Sequence, residues 1–231
     1  MSVALQGSLL DSVDDVGLRA LDHAIRRAVL GAPTAAGGAW VDIRPGWVTG
    51  ADELFTRLAR AVPWHAERRM MYDRQVAVPR LLSFFDEDEQ LPDPVLAQAR
   101  SALTSHYGAE LGEPFRTAGL CFYRDGRDSV TWHGDTIGRG SREDTMVAII
   151  SVGAPRALLL RPRAEEGRSG ESDSGSGGGG GGGQTIRHVL GHGDLLVMGG
   201  SCQRTWEHAV PKTARPVGPR ISIQFRPRGV R

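Results

Sequence analysis

Lysine is almost missing from this chain, because Lys212 is the only lysine among 28 basic residues. Cysteine is equally scarce: Cys121 and Cys202 form neither a disulfide framework nor a zinc-ligand pattern. We therefore expect a protein of the reducing cytoplasm. No apolar run approaches the roughly 20 residues that span a bilayer, and residues 1–15 lack the features of a signal peptide. We expect no membrane partner.

An overall charge of either sign is also missing, since the formal net charge is +1. Whole-chain charge therefore gives no argument for a nucleic-acid partner. The arginines are nevertheless unevenly distributed, in two groups: Arg57, Arg60, Arg68, Arg69, Arg74 and Arg80, then Arg215, Arg220, Arg226, Arg228 and Arg231. A local basic face can bind phosphates, although solvated surface arginines would give the same pattern.

The order of apolar residues predicts helices first and strands afterwards. Helical periodicity covers Asp14 to Leu30, the segment after Thr49 up to Pro63, and a segment that Asp93 and Pro94 begin and Gly108 ends. After Phe115 the pattern alternates, and eight short strand candidates follow: Thr117–Arg124, Ser129–His133, Thr145–Val152, Arg156–Arg161, Thr185–Leu190, Asp194–Met198, Glu207–Val210 and Arg220–Arg226. Short strands without helices between them indicate an antiparallel sandwich or barrel.

We therefore predict an α+β fold, with N-terminal helices packed outside a jelly-roll core of the double-stranded β-helix type. One domain would cover residues 1–231, with a helical and substrate-loop part at 1–115 and the core at 116–228. Trp64 to Pro79 lacks regular periodicity, and we interpret it as a substrate-binding loop. Ser169 to Gly183 ends in seven consecutive glycines and should form a flexible loop within the core.

Two histidines and a carboxylate are candidate metal ligands. His133 and Asp135 are two residues apart, so on a strand both side chains face one side. His208 lies far away in sequence and completes the set. Such a triad leaves open positions on the ion, as in non-haem Fe(II) oxygenases, but a zinc hydrolase can use the same ligands. A second pair, His192 and Asp194, reads better as a turn with Asp as turn former.

The strand candidate Arg220–Arg226 helps to decide between an iron oxygenase and a zinc hydrolase. Arg220 and Arg226 share one face of this strand, while Ile221, Ile223 and Phe225 share the other. An inward arginine face is costly unless an anion is bound there. The arginine Cα atoms would lie roughly 20 Å apart at about 3.3 Å per residue, and side chains converging between them suit a small dicarboxylate. The strand therefore favours iron and 2-oxoglutarate over zinc and water.

From about Pro63 to Pro227 the chain resembles the AlkB-type Fe(II)/2-oxoglutarate dioxygenases, which dealkylate nucleic acids. The resemblance rests on an ordered set of motifs: Pro79-Arg-Leu81, Tyr123-Arg-Asp-Gly126, His133-Gly-Asp135, Gly193-Asp-Leu-Leu-Val-Met-Gly199, Trp206-Glu-His208-Ala-Val-Pro-Lys212 and Arg220-x5-Arg226. No single motif is specific, but the set in this order is.

The resemblance implies roles for six residues. His133, Asp135 and His208 would hold iron, Tyr123 and Arg220 would bind the distal carboxylate of 2-oxoglutarate, and Arg226 would lie near its keto-acid end. The implied reaction consumes O2 and 2-oxoglutarate, releases succinate and CO2, and removes a methyl group from a base as formaldehyde. The partner would be alkylated DNA or RNA with the base taken out of the stack, and we expect the enzyme to be a monomer.

Some positions depart from the family pattern. Cys121, Ser222 and Gln224 replace residues usual around the cosubstrate, and Thr136 and Ile137 follow the metal aspartate where many members have acidic residues. Base preference therefore does not carry over. A hydroxylase of a protein or small molecule, and a non-catalytic nucleic-acid-binding module, remain alternative functions.

Overall fold

The computed structural model describes residues 16–21, 25–31, 38–71, 74–164 and 185–230. Its elements in chain order are β1 (Gly17–Leu18), β2 (Arg26–Leu30), β3 (Ala39–Arg44), β4 (Val48–Thr49), α1 (Ala51–Ala61), β5 (His65–Met71), β6 (Arg74–Phe85), α2 (Pro94–Leu111), β7 (Thr117–Tyr123), β8 (Val130–His133), a 3-10 turn (Arg139–Ser141), β9 (Val147–Gly153), β10 (Arg156–Pro162), β11 (Ile186–Leu190), β12 (Asp194–Gly200), α3 (Cys202–Thr205), β13 (Trp206–Val210) and β14 (Arg220–Arg226).

Two antiparallel sheets form the body of the protein. The major sheet has eight strands in the order β2-β3-β12-β9-β14-β7-β6-β5, and the minor sheet has four in the order β11-β10-β13-β8. β1 and β4 form a separate two-stranded ribbon. This is the double-stranded β-helix that the alternating pattern predicts, and all eight strand candidates after Phe115 are confirmed with small shifts at their ends.

Two hydrophobic clusters explain why the sheets have this arrangement. The outer face of the major sheet, with Ile221, Ile223 and Phe225 on β14, packs in one cluster with Leu54 of α1 and Leu96 of α2. The second cluster includes residues of both sheets: Val41, Val147, Ile149, Leu158, Leu160 and Met198. The α+β class with helices outside the core is thereby confirmed for α1 and α2.

The predicted helix over Asp14 to Leu30 is wrong for the part that the structure describes. Gly17–Leu18 and Arg26–Leu30 are strands, and the second pairs antiparallel with β3. Helical spacing of a few apolar residues is a weak signal, and hydrogen bonding to the neighbouring strand β3 outweighs it here. In addition, Gly17 and Val29 have low helix propensity. The other two helices are confirmed, although the second ends at Gly112 (φ 78°) rather than Gly108.

The segment from Trp64 to Pro79 is also different from its prediction. Instead of an irregular loop, it contains β5 and the start of β6, a hairpin at one edge of the major sheet. Its polar composition hid the strands, because a projecting edge hairpin need not alternate apolar and polar residues. The Gly/Ser segment 169–183 lies outside the described residues, and the division of the domain at residue 115 stays a prediction. None of the described helices is long and apolar enough to cross a membrane.

A buried carboxylate links the β2–β3 edge to α2. Asp42 is 3% exposed and accepts hydrogen bonds from Arg27 Nε (2.8 Å), Arg27 Nη2 (2.9 Å) and the Tyr107 hydroxyl (3.1 Å). The same guanidinium binds the Glu110 carboxylate on α2, whose side chain is 45% exposed. Loss of the Asp42 carboxylate should therefore lower the free energy of unfolding more than loss of the Glu110 carboxylate, because it deprives Arg27 and Tyr107 of a buried acceptor.

We expect Asp42→Ala to lower the free energy of unfolding by about 2 kcal/mol, since it leaves the buried Tyr107 hydroxyl without its acceptor. Glu110→Ala removes only a solvent-exposed ion pair and should cost less than about 1 kcal/mol. Urea denaturation of the two variants measures the difference. Equal losses would show that the exposed pair contributes as much to holding α2 at this edge as the buried carboxylate does.

Candidate active site

The structure brings the three predicted metal ligands together. One ligand atom from each of His133, Asp135 and His208 can be chosen so that all lie within 4.8 Å of one another. His133 at the end of β8 is the register partner of His208 on β13, and their ring centroids are 4.2 Å apart. Two imidazoles and a carboxylate are the donor set of non-haem Fe(II) oxygenases, so these residues can hold Fe(II).

The surroundings of both histidines favour the neutral imidazole, which is the form that binds a metal ion. His133 Nδ1 lies 2.8 Å from the Thr131 carbonyl, which can only accept, so Nδ1 carries the proton and Nε2 is left for a metal. Burial lowers the pKa of His133, and burial together with the neighbouring His133 lowers the pKa of His208 to about 3. At neutral pH neither imidazole has to lose a proton before it binds a cation.

Asp135 is held at its side chain and at its backbone. Arg226 Nε donates to Asp135 Oδ2 at 2.9 Å, and the Asp135 backbone N–H donates to Gln203 Oε1 at 3.0 Å. Burial opposes ionisation of Asp135, but the charge and hydrogen bond of Arg226 together with His208 and His133 outweigh it and lower the pKa of the carboxyl to about 2. The carboxylate is therefore charged and oriented before any metal binds.

Two glycines allow the chain to close around Asp135. A Cβ at Gly134 would lie 2.4 Å from the Gln203 carbonyl oxygen, and a Cβ at Gly140 would lie 2.1 Å from that of Asp135. Neither backbone could approach so closely to a larger residue. The middle position of the His-Gly-Asp motif is thus fixed by the approach of α3, which carries the fully buried Gln203.

The face of β14 that carries Arg226 also carries a buried cation that lacks an anion. Arg220 on β14 is 1% exposed, and its Nε donates to Ser151 Oγ at 2.8 Å. Its Nη1 is buried and has no hydrogen-bond partner among the described residues. Tyr123, the register partner of Arg220 on β7, places its ring centroid 5.2 Å from the guanidinium.

This arrangement fits a carboxylate of a bound cosubstrate. Burial lowers the pKa of Arg220, and no carboxylate within the described part of the chain forms an ion pair with it. A buried guanidinium without a compensating anion is costly. A carboxylate group of 2-oxoglutarate would supply the missing acceptor for Nη1 and the compensating charge. Arg226, predicted near the keto-acid end of the cosubstrate, forms an ion pair with Asp135, and its contact with the cosubstrate stays a prediction.

Sequence reasoning missed Arg156, which supports this pocket. Arg156 on β10 is 4% exposed and donates to three backbone carbonyl groups: Asp125 (3.0 Å), Asp128 (2.9 Å) and Pro211 (2.7 Å). Its guanidinium lies 5.7 Å from the centroid of the Tyr123 ring. The available signal was the alternation of β10, because Arg156 shares a face with the buried Leu158 and Leu160.

The second His-x-Asp pair is a turn, as predicted. The Asp194 carboxylate accepts hydrogen bonds from the backbone N–H groups of Gly46 (2.8 Å) and Gly191 (2.7 Å). His192 Nδ1 accepts one from Gly153 N at 2.7 Å. Both side chains therefore serve loops that pack beside β12.

Comparison with known proteins assigns the class. The model of the 2OG-Fe(II) oxygenase superfamily matches residues 48–226, which is most of the chain, and the chain belongs to this family. The cofactors of the family are Fe(II) and 2-oxoglutarate; the donor set fits the iron, and the unpartnered Nη1 of Arg220 fits a cosubstrate carboxylate.

Within this family the relatives are of the AlkB type. The chain is 29% identical to alpha-ketoglutarate-dependent dioxygenase alkB homolog 3 of Bos taurus, over 79% of this chain and 64% of the relative. It is 28% identical to the Homo sapiens protein of that name, over 80% and 65%. It is 32% identical to DNA oxidative demethylase ALKBH2 of Arabidopsis thaliana, over 55% and 42%. The chain thus spans just under two thirds of the first two relatives.

Solved structures agree on the fold. The carbocyclase SnoK from nogalamycin biosynthesis superposes with a TM-score of 0.53 at 13% identity, covering 80% of this chain and 79% of that one. A prolyl hydroxylase from Trichoplax adhaerens gives 0.52 at 10% identity, with 80% and 83% covered. The first is a carbocyclase and the second a prolyl hydroxylase, so the likeness concerns the double-stranded β-helix alone.

We expect His133→Ala to abolish Fe(II) binding and His192→Ala to leave it unchanged, because only the first histidine belongs to the ligand cluster. Anaerobic titration with Fe(II) in the presence of 2-oxoglutarate, followed by the visible charge-transfer band, measures both. Loss of the band in the His192 variant alone would move the metal site to the other pair.

We expect Arg220→Met to weaken 2-oxoglutarate binding by at least about 30-fold, since removing one partner of a buried charged pair costs about 2 kcal/mol or more. Its iron affinity should change far less, because Arg220 contacts no metal ligand. Calorimetric titration of the metal-loaded protein gives the cosubstrate affinity. Arg57→Met, which alters a partly exposed arginine on α1, is the control. Equal cosubstrate affinity in both variants would remove Arg220 from the binding site.

Proposed function

We propose that this protein demethylates alkylated bases in DNA or RNA by oxidation, using Fe(II), O2 and 2-oxoglutarate and releasing succinate, CO2 and formaldehyde. The observation that carries the proposal is that one fold holds both the His133, Asp135 and His208 cluster and, on the strand whose Arg226 pairs with Asp135, a buried Arg220 with an unpartnered Nη1. The substrate class is supported by the relatives, whose names describe alkB homologues and DNA oxidative demethylases.

One group of residues would bind the metal, and a second group would bind the cosubstrate. His133, Asp135 and His208 would hold iron on one side and leave the remaining positions for cosubstrate and oxygen. Arg220 would bind a carboxylate of 2-oxoglutarate, with Ser151 and Tyr123 fixing the orientation of its guanidinium. Bound iron supplies the activation of O2 that protein side chains cannot provide.

Arg226 has a different role from Arg220. Its ion pair with Asp135 keeps the carboxylate ionised and directed at the metal position. The charge of Arg226 therefore acts on the iron ligand, while the charge of Arg220 acts on the cosubstrate. Both arginines come from one strand, so their separation is set by the six-residue spacing in β14.

A cavity next to β6 carries Lys212 and two arginines, Arg124 and Arg127, which are paired with Asp128 and Asp125. This cavity of about 470 Å³ opens between β6 and the loop after β7, lined by Ala77, Val78, Pro79, Arg124, Asp125, Arg127, Asp128 and Lys212. Arg80 on β6 donates to the Ser129 carbonyl, and its charge contributes to lowering the pKa of His133. The β5–β6 hairpin thus borders the metal site and carries basic residues that can contact phosphates.

The proposal is tested with oligonucleotides that carry 1-methyladenine or 3-methylcytosine, as single-stranded DNA, double-stranded DNA and RNA. We expect the loss of one methylene by mass spectrometry, with formaldehyde and succinate formed in equal amounts. His133→Ala should give none of these products.

The alternative substrates predict other outcomes. A hydroxylase of a protein or small molecule would turn over 2-oxoglutarate without demethylating any oligonucleotide, and peptides or metabolites would stimulate that turnover. A non-catalytic binding module would bind oligonucleotides equally well after His133→Ala and consume no 2-oxoglutarate. Either result would overturn the proposed reaction.

A further inference from the structure

A glycine in the middle of β7 lies against the arginine that orients the metal aspartate. Gly119 is the register partner of Gln224 on β14 and of Phe84 on β6. A Cβ built at Gly119 would lie 3.0 Å from Arg226 Nη1 and 3.3 Å from Gln224 Oε1. Glycine weakens a strand interior, and it often marks a place where another group must approach the backbone closely.

We infer that Gly119 is a positioning residue for the iron ligand Asp135, because the missing side chain gives the Arg226 guanidinium the room that it needs to reach the carboxylate. The inference rests on the iron site of the proposed function and is independent of the substrate. Arg226 extends one end over Gly119 through Nη1, while its Nε donates to Asp135 Oδ2 at 2.9 Å.

Of the two side chains near Gly119, Arg226 is the one that must yield. The Gln224 carboxamide is fixed on both sides, because Nε2 donates to Ser222 Oγ at 2.7 Å and Oε1 lies 3.7 Å from Cys121 Sγ. Its Oε1 is also farther from the added Cβ than Arg226 Nη1 is. A larger residue at position 119 would therefore displace the guanidinium by a few tenths of an ångström.

That displacement acts directly on the metal site. The guanidinium is rigid and planar, so a shift at Nη1 also moves Nε, which holds Asp135. Arg226 is only 13% exposed at its side chain, and Asp135 only 6%, so solvent does not absorb the change. Outer partners of metal ligands typically change metal affinity or activity by 10–100-fold when altered.

The test measures iron binding and the stability of the metal-free protein in the same variants. We expect Gly119→Ala to weaken Fe(II) binding about 10-fold, and Gly119→Val about 100-fold. The metal-free protein should be as stable as the parent or more stable in urea, because alanine and valine suit a strand better than glycine. Iron affinity would then fall while stability is retained or rises, which a merely structural glycine does not produce.

Transmission through Arg226 is tested by a double-mutant cycle. In an Arg226→Met background, Gly119→Ala should cause no further loss of Fe(II) affinity, since the displaced group is gone. Gly108→Ala is the matched control: its added Cβ would lie 3.9 Å from the nearest atom, Thr104 Cγ2, and Fe(II) affinity should stay unchanged.

The outcomes separate this inference from the proposed function. If the parent protein binds Fe(II) and 2-oxoglutarate but Gly119→Ala binds iron equally well, the inference is overturned and the proposed function is untouched. Additive losses in the cycle, or a metal-free Gly119→Ala protein less stable than its parent, would also overturn it. If the parent binds no Fe(II), the proposed function itself fails.

Discussion

The ion pair between Asp135 and Arg226 is the constraint on which the site depends. Asp135 follows β8, an edge strand of the minor sheet, and Arg226 ends the central strand β14 of the major sheet, so the pair joins the two sheets through their interior. Both groups lose hydration on burial, and such pairs contribute little to stability. The pair instead orients the Asp135 carboxylate, which is already ionised and held in position before iron binds. Gln203 and the glycines around Asp135 fix the backbone to match.

Much of this architecture is readable from periodicity. The alternation in β14 places Arg220 and Arg226 inside and the apolar residues outside, and the structure has this arrangement. The strands after Phe115 and the helices α1 and α2 could be predicted from the sequence equally well, because the spacing of their apolar residues matches burial on one side. The three metal ligands were found from side-chain chemistry and ordered motifs, and the structure brings them within 4.8 Å.

What the sequence hides are contacts that exist only after folding. The β5–β6 hairpin and β2 carry mixed polar residues, since edge strands are not covered on both faces, and their patterns were ambiguous. Gln203 has no local signal at all: it is buried because the backbone of Asp135 needs an acceptor there. Gly119 looks like any strand glycine until its register partners are known. Tertiary proximity, which no local pattern encodes, decides each of these cases.

The minor sheet gives iron a part in folding as well as in chemistry. β8 is a four-residue edge strand whose single neighbour within the described sheet is β13, and their pairing is irregular between His208 and Val210. An ion bound by His133 and His208 would cross-link β8 to β13 and so stabilise this edge of the minor sheet. Because such an ion binds the folded chain in preference to the unfolded one, it shifts the folding equilibrium by mass action. Removal of the ion would then lower the stability of the folded protein.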